Sequence, residues 1–209
     1  MFYAESLNEI NNAIQRIEKL NIFKENEKLQ NAFNLLEGKI TGEKMASPLV
    51  SVIIPCYNAE KYVEEAIRSV MTQTYSNLEI IVTDDCSSDN TLMILETLAA
   101  EDSRIKVIKN EENLKIVKSL NNMIEVAQGK YIARMDADDI SLPERIEKQV
   151  SFLESNPEYG LCGTNAWHID ENGKKIGKSY LPVTHEENKF YLAYYSTFYH
   201  PTIMLRSCI

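Results

Sequence analysis

From Leu49 onward, short β-branched runs alternate with longer amphipathic stretches. Leu49-Val50-Ser51-Val52-Ile53-Ile54 is almost wholly apolar and ends at Pro55, which predicts a buried strand. Residues 60–72 place Val63, Ala66, Ile67, Val70 and Met71 at helical spacing. Leu78-Glu79-Ile80-Ile81-Val82 predicts a second strand, ending in Thr83-Asp84-Asp85, and a helix from about Ser88 carries Leu92, Leu95 and Leu98. Ile105-Lys106-Val107-Ile108 reads as a third strand. A helix over 115–127 sets Ile116, Leu120 and Ile124 on its inward face. Residues 130–135 form a fourth strand running into an acidic cluster. A helix over 142–154 follows with Ile146, Val150 and Leu153 inward. Strands alternating with helices imply βαβ crossovers, hence an α/β domain with a mainly parallel sheet flanked by helices.

The N-terminal forty or so residues have a different texture. Leu7, Ile10, Ile14 and Ile17 recur at spacings of three and four, and the pattern restarts after Asn21 with Leu29, Phe33, Leu36 and Ile40. Both runs predict amphipathic helices, ending near Gly38 and Thr41-Gly42. Residues 43–48 read as a linker. The division is therefore a helical extension over 1–44 and a main domain over 48–209. The apolar stripe of the extension needs a partner, either its own main domain or a second copy in a homo-oligomer.

Composition narrows the classes. Of 209 residues, 44% are hydrophobic and 25% charged, with a net charge of -9 and no long basic run. That balance is globular and argues against a nucleic-acid partner. The four cysteines, Cys56, Cys86, Cys162 and Cys208, lack any CxxC spacing, so free thiols in a reducing cytoplasm are expected. No signal peptide is read at the start, and no apolar stretch is long enough to span a bilayer.

The polar residues gather where the predicted strands end: Tyr57 and Asn58, Asp84 and Asp85, and Asp136, Asp138 and Asp139. In an open α/β sheet this edge holds the ligand. Asp136 and Asp138 are two residues apart, so in extended chain their carboxylates leave on one side. A divalent cation would cancel their repulsion, and oxygen-only ligands suit Mg2+ or Mn2+. The competing reading is that these acids cap the following helix, Asp139 most of all. Asp84 and Asp85 have a similar alternative as a strand-end turn. Tyr57 is either a half-buried core aromatic or a stacking surface for a base. His168, His185 and His200 show no metal spacing. Neither GxGxxG nor GxxxxGK[ST] occurs, and with seven glycines a diphosphate is not cradled by a glycine loop.

Two segments, VSVIIPCYNAEKYVEEAIRSVMTQTYSNLEIIVTDDCSSDNT and GKYIARMDADDISLPERIEKQV, with HPTIMLRS further on, closely resemble family 2 glycosyltransferases of the GT-A fold. The resemblance covers about residues 48–209 and leaves out the N-terminal extension. It implies inverting transfer of a sugar from a nucleotide diphosphate, commonly UDP, to a hydroxyl of a glycan or lipid-linked glycan, of the bacterial surface-polysaccharide type. By the same resemblance, Pro55 and Tyr57 line the base pocket and Asp84 hydrogen-bonds the base. Asp136, Ala137 and Asp138 are the DxD that carries metal, ribose and diphosphate. Arg134 sits near the phosphates or braces the acids, Lys118 lies near base and phosphate, and His200 belongs to the donor or acceptor side.

Two departures stand out. Related sequences often have Asn-x-Gly where this one has Asn113-Leu114-Lys115. The family's acidic general base lies beyond the His-Pro segment, past Ile209, so no base is assigned within this chain. The resemblance also implies a cytoplasmic protein, or one peripheral to the inner face of the membrane. A nucleotide-sugar-binding or scaffolding module without turnover is the rival reading. A nucleotidyltransferase is disfavoured because CYNAEKY is not a glycine-rich basic loop.

Overall fold

The computed structural model describes residues 47–207. The helices expected over residues 1–44, and any pairing through them, lie outside the described residues. The strands are β1 Val50–Cys56, β2 Leu78–Asp84, β3 Ile105–Lys109, β4 Tyr131–Arg134, β5 Leu161–Cys162, β6 Trp167–Ile169, β7 Lys175–Lys178 and β8 Met204–Arg206. The helices are α1 Val63–Met71, α2 Thr91–Glu101, α3 Lys115–Val126, α4 Arg145–Ser155 and α5 His185–Tyr191. A six-stranded sheet has the order β3-β2-β1-β4-β8-β5, and β6 and β7 form a separate hairpin. β3, β2, β1 and β4 are parallel, while β8 runs antiparallel to both β4 and β5.

Alternation along each strand divides the core. Val50, Val52 and Ile54 of β1, with Ile80 and Val82 of β2, face Val63, Ile67, Leu95, Leu98, Ile146 and Leu153 of α1, α2 and α4. Ile53, Ile81 and Ile132 point the other way, onto Met123 and Leu120 of α3. The chain steps from β1 to β2 to β3 in one direction and then returns across β1 to place β4. The reversal carries α3 to the opposite face. Each fully buried Ile or Leu stabilises the fold by roughly 1.5–3 kcal/mol.

Pro55 lies inside β1 rather than ending it, in register with Thr83. The central strand tolerates it for a geometric reason. The Ile53 carbonyl accepts from Met135 N–H on the β4 side, and residues two apart point the same way. Pro55 therefore presents its missing donor toward β4, whose pairing with β1 ends at Ile53 and Arg134.

Two expectations are corrected. Ile116 and Ile124 are 47% and 42% exposed, and α3 instead buries Ser119 and Met123. The Asn110 side-chain amide donates to Ser119 Oγ at 3.1 Å, which helps turn that face inward. The acids before α4 do not cap it. The helix starts at Arg145 with Glu144 as N-cap, because Leu142 and Pro143 give their carbonyls to Gln73 Nε2 and Thr74 N–H of the α1 end.

Candidate active site

The strand order reverses between β1 and β4, which opens a crevice at their carboxyl ends. Four stretches meet this edge. Pro55 is in the last turn of β1 and Tyr57 follows it, 53% exposed. Asp84 is the last residue of β2. Arg134 is the last of β4, with Asp136, Ala137 and Asp138 directly beyond. His200 comes from a single 3-10 turn, His200–Thr202, packed beside β4.

The two acids after β2 differ sharply. Asp85 accepts from Asn110 Nδ2 at 2.7 Å, Leu114 N–H at 2.8 Å and Lys115 N–H at 2.9 Å. Burial pushes its carboxyl up, but these bonds and Ser119 outweigh it and hold the group below the usual aspartate value. Asp85 is an anchor for the loop ahead of α3. Asp84 is 1% exposed; its Oδ2 accepts from Ser87 N–H at 3.2 Å, while its Oδ1 has no partner. A buried acceptor left open at a ligand edge is what a donor on a base would meet. Burial first, and then the Asp84 charge, push the neighbouring Cys56 thiol up, so it is an inert core thiol. Among the described residues Cys56, Cys86 and Cys162 are all free.

Among the described residues three non-glycine positions have positive φ, and all three lie along this edge: Asn58 at 49°, Cys86 at 61° and Lys115 at 68°. Such conformations persist where surrounding bonds over-determine them. Asn58 donates its N–H to Ser87 Oγ at 3.0 Å and its Oδ1 accepts from Ser88 N–H at 2.9 Å. The turns after β1 and β2 are thus stitched into one wall. Lys115 stands at the expected Asn-x-Gly glycine and takes the glycine-like conformation.

The acidic cluster is held from below. Arg134 is buried and clamps both oxygens of Asp136, Nη1 donating to Oδ2 at 2.9 Å and Nη2 to Oδ1. The Arg134 carbonyl accepts from Arg145 Nη2 at 2.7 Å, and Arg145 Nε donates to Gln149 at 3.1 Å. Burial pulls the Arg145 guanidinium down to about 10, which leaves it charged at neutral pH. Asp138 is exposed. Burial, and then Asp136 and Asp138, push the Asp139 carboxyl up. Arg134 and Arg145 act in the opposite direction but do not outweigh these causes. His200 lies close enough to feel both Arg134 and Asp136; burial, then Arg134, pull it below the usual histidine value.

The residues fit a hard divalent cation through the oxygen-donor chemistry of Asp136 and Asp138. Among the described residues no three His, Cys, Asp or Glu side chains form a closed metal cage. A cation held here would keep positions for substrate oxygens.

Lys118 is the outlier. It lies exposed on α3, and no bond ties it to the acids. Sequence reasoning missed Arg145, and it placed Asp85 and Asn58 at the strand ends without their bracing roles; all three roles depend on contacts 11 to 30 residues away. A cavity of about 810 Å3 lies between Phe152 of α4, Leu161 and Cys162 of β5, and Leu192 after α5; no candidate site residue lines it.

A GT-A sheet carrying strand-end carboxylates around an open crevice defines a glycosyltransferase domain. The chain belongs to glycosyl transferase family 2, whose model matches residues 51–208. It is 44% identical over 163 residues to EpsE of Bacillus subtilis, a protein named provisionally as a glycosyltransferase, covering 78% of this chain and 58% of that one. It is 38% identical over 141 residues to the Escherichia coli UDP-Glc:alpha-D-GlcNAc-diphosphoundecaprenol beta-1,3-glucosyltransferase WfgD, covering 68% and 54%. Among solved structures, S. aureus TarS 1-349 in complex with UDP-GlcNAc aligns with a TM-score of 0.59 and 26% identity, covering 76% of this chain and 45% of that one. The chain thus spans little more than half the length of these curated relatives.

Proposed function

We propose that this domain binds a nucleotide-diphosphate sugar, with UDP as its nucleotide, for inverting transfer to a hydroxyl of a glycan or lipid-linked glycan. The observation that carries the reading is the open, buried Oδ1 of Asp84 on the same sheet edge as Tyr57 and the Asp136-Ala137-Asp138 turn. Asp84 accepts from the base, Tyr57 and Pro55 flank it, and Asp136 and Asp138 face the diphosphate. Lys118 lends positive charge to the crevice mouth. The relatives support this choice of donor: TarS has been crystallised with UDP-GlcNAc, and WfgD is named for UDP-Glc and a diphosphoundecaprenol acceptor.

In the transfer, the acceptor oxygen bonds to the anomeric carbon as the carbon–oxygen bond to the diphosphate breaks. The nucleoside diphosphate leaves with the electron pair. The acceptor proton passes to a general base. A divalent Mn2+ or Mg2+ bound at Asp136 and Asp138 would supply charge neutralisation for the leaving diphosphate. His200, beside Arg134, offers a hydrogen-bonding group on the acceptor side. No helix among the described residues is long and apolar enough to cross a membrane, and we place the domain at the cytoplasmic face, where lipid-linked acceptors present their sugars.

Calorimetric titration with UDP tests the reading. Affinity should fall by at least ~10-fold, about 1.4 kcal/mol, when Mn2+ is replaced by chelator, and again in Asp138→Ala. Equal affinities under all three conditions would sink it.

A further inference from the structure

The two carboxylates of the Asp-Ala-Asp turn are not equivalent. Arg134 and Asp136 leave the chain on one side, and the guanidinium engages both oxygens of Asp136. The Arg134 side chain is 8% exposed and that of Asp136 36%. The arginine backbone is fixed at both ends: Arg134 N–H donates to the Ile203 carbonyl at 3.0 Å, and its own carbonyl accepts from Arg145. Asp138 is exposed, and among the described residues it has neither hydrogen bond nor ion pair. Arg134 also carries a buried Nε–H with no acceptor.

We propose that Arg134 is an internal counter-cation: it occupies Asp136 while the crevice is empty, keeps metal affinity low, and couples metal binding to diphosphate binding. This rests on the nucleotide-sugar reading above. A carboxylate bound bidentately by a guanidinium has its charge neutralised and two of its lone pairs taken. A fixed positive charge beside it also repels a divalent ion. An incoming diphosphate offers new acceptors to Arg134, including one for the unpartnered Nε–H. Asp136 is then free to join Asp138. The coupling is reciprocal, so metal favours nucleotide as much as nucleotide favours metal. Arg134 is thus a positioning residue. If it merely braced Asp136 in a ligand-ready pose, removing it would weaken metal binding.

The free-Mn2+ electron paramagnetic resonance signal, titrated with the full chain and no nucleotide, separates the two. Asp138→Asn should weaken Mn2+ binding at least ~10-fold, Asp136→Asn less than ~3-fold, and Arg134→Gln should tighten it about 5-fold. With saturating UDP, wild-type affinity for Mn2+ should rise at least ~10-fold, and by less than ~3-fold in Arg134→Gln. Equal losses in the two aspartate variants, or weaker Mn2+ binding in a folded Arg134→Gln, would overturn the proposal. If Arg134→Gln lacks a cooperative melt, the aspartate pair decides alone. If UDP changes nothing in any protein while the metal-alone results hold, the lock stands and the nucleotide reading falls.

Discussion

Lys115 donates its backbone N–H to Asp85 Oδ2 at 2.9 Å across thirty residues, and in doing so sits at a φ of 68°. Asp85 is therefore spent on anchoring the loop, which leaves its neighbour Asp84 for the ligand recognition proposed above. Asp85→Ala would leave Leu114 N–H without its acceptor, Asn110 with only Ser119 Oγ and Lys115 N–H with only Asn113 Oδ1. The expected cost is about 2–4 kcal/mol, read by urea unfolding. Asp84→Asn should change stability by less than about 1 kcal/mol, because one oxygen has no partner to lose. It should nevertheless weaken UDP binding at least ~10-fold. A reversed ranking would exchange the two roles.

The left-handed conformation at Lys115 gives an independent check. A side chain there costs roughly 1–2 kcal/mol, and glycine removes that strain while adding about 0.5–1 kcal/mol of unfolded-state entropy. Lys115→Gly should be neutral or stabilising by up to ~1 kcal/mol. Lys115→Val, β-branched in the same conformation, should destabilise by at least ~1 kcal/mol. Thermal melts of the pair measure the difference directly. Similar melting temperatures would mean that the loop does not hold Lys115 in that conformation.

Acid unfolding should report Asp85 as well. Its carboxyl is held below 3.8 in the folded chain, burial being outweighed by Asn110, Leu114, Ser119 and Lys115. A depressed carboxyl stabilises the fold fully above its unfolded value and loses that contribution as pH falls through the folded one. Glu79 acts likewise below 4.5, with Lys106, Ser51 and the Gln128 N–H outweighing burial. Wild-type stability should therefore decline from about pH 5 downward, with a shallower slope in Asp85→Asn. Parallel curves would show that Asp85 does not drive the acid limb.

The four parallel strands and their helices were legible because a buried strand and an amphipathic helix each impose a period on hydrophobic positions. The strand-end residues were legible as candidates for the same reason: once β1, β2 and β4 are placed, Tyr57, Asp84 and Asp136 fall on one edge. Most helix starts were not, although α3 begins at Lys115 as the pattern suggests. Thr91 and Arg145 begin their helices three residues later than the pattern suggests, because the preceding backbone groups are bonded to other segments. The facing of α3 was also hidden, since Ile116, Leu120 and Ile124 make as good a stripe as Ser119, Met123 and Ala127. The Arg134–Asp136 pair was adjacent in sequence, yet its bidentate geometry is fixed by Arg145 and Ile203 from elsewhere.

The turn after Asp138 is tied to the end of α1 by a buried amide. Gln73 Nε2 donates to the Leu142 carbonyl at 2.9 Å and to Ser69 O at 3.0 Å, and its Oε1 accepts from Ile146 N–H at 3.1 Å. Ser141 N–H donates to Ser69 Oγ at 2.9 Å alongside. Gln73 thus ties the end of α1 to both the turn and the first residues of α4. Gln73→Leu matches its size while removing these bonds and leaving the Ile146 N–H buried without its acceptor. The loss should be about 2–3 kcal/mol. Because the same turn presents Asp138, Mn2+-dependent UDP affinity should also fall, by roughly 3- to 10-fold. A fall in stability with unchanged UDP affinity would show that Asp138 is positioned by β4 alone.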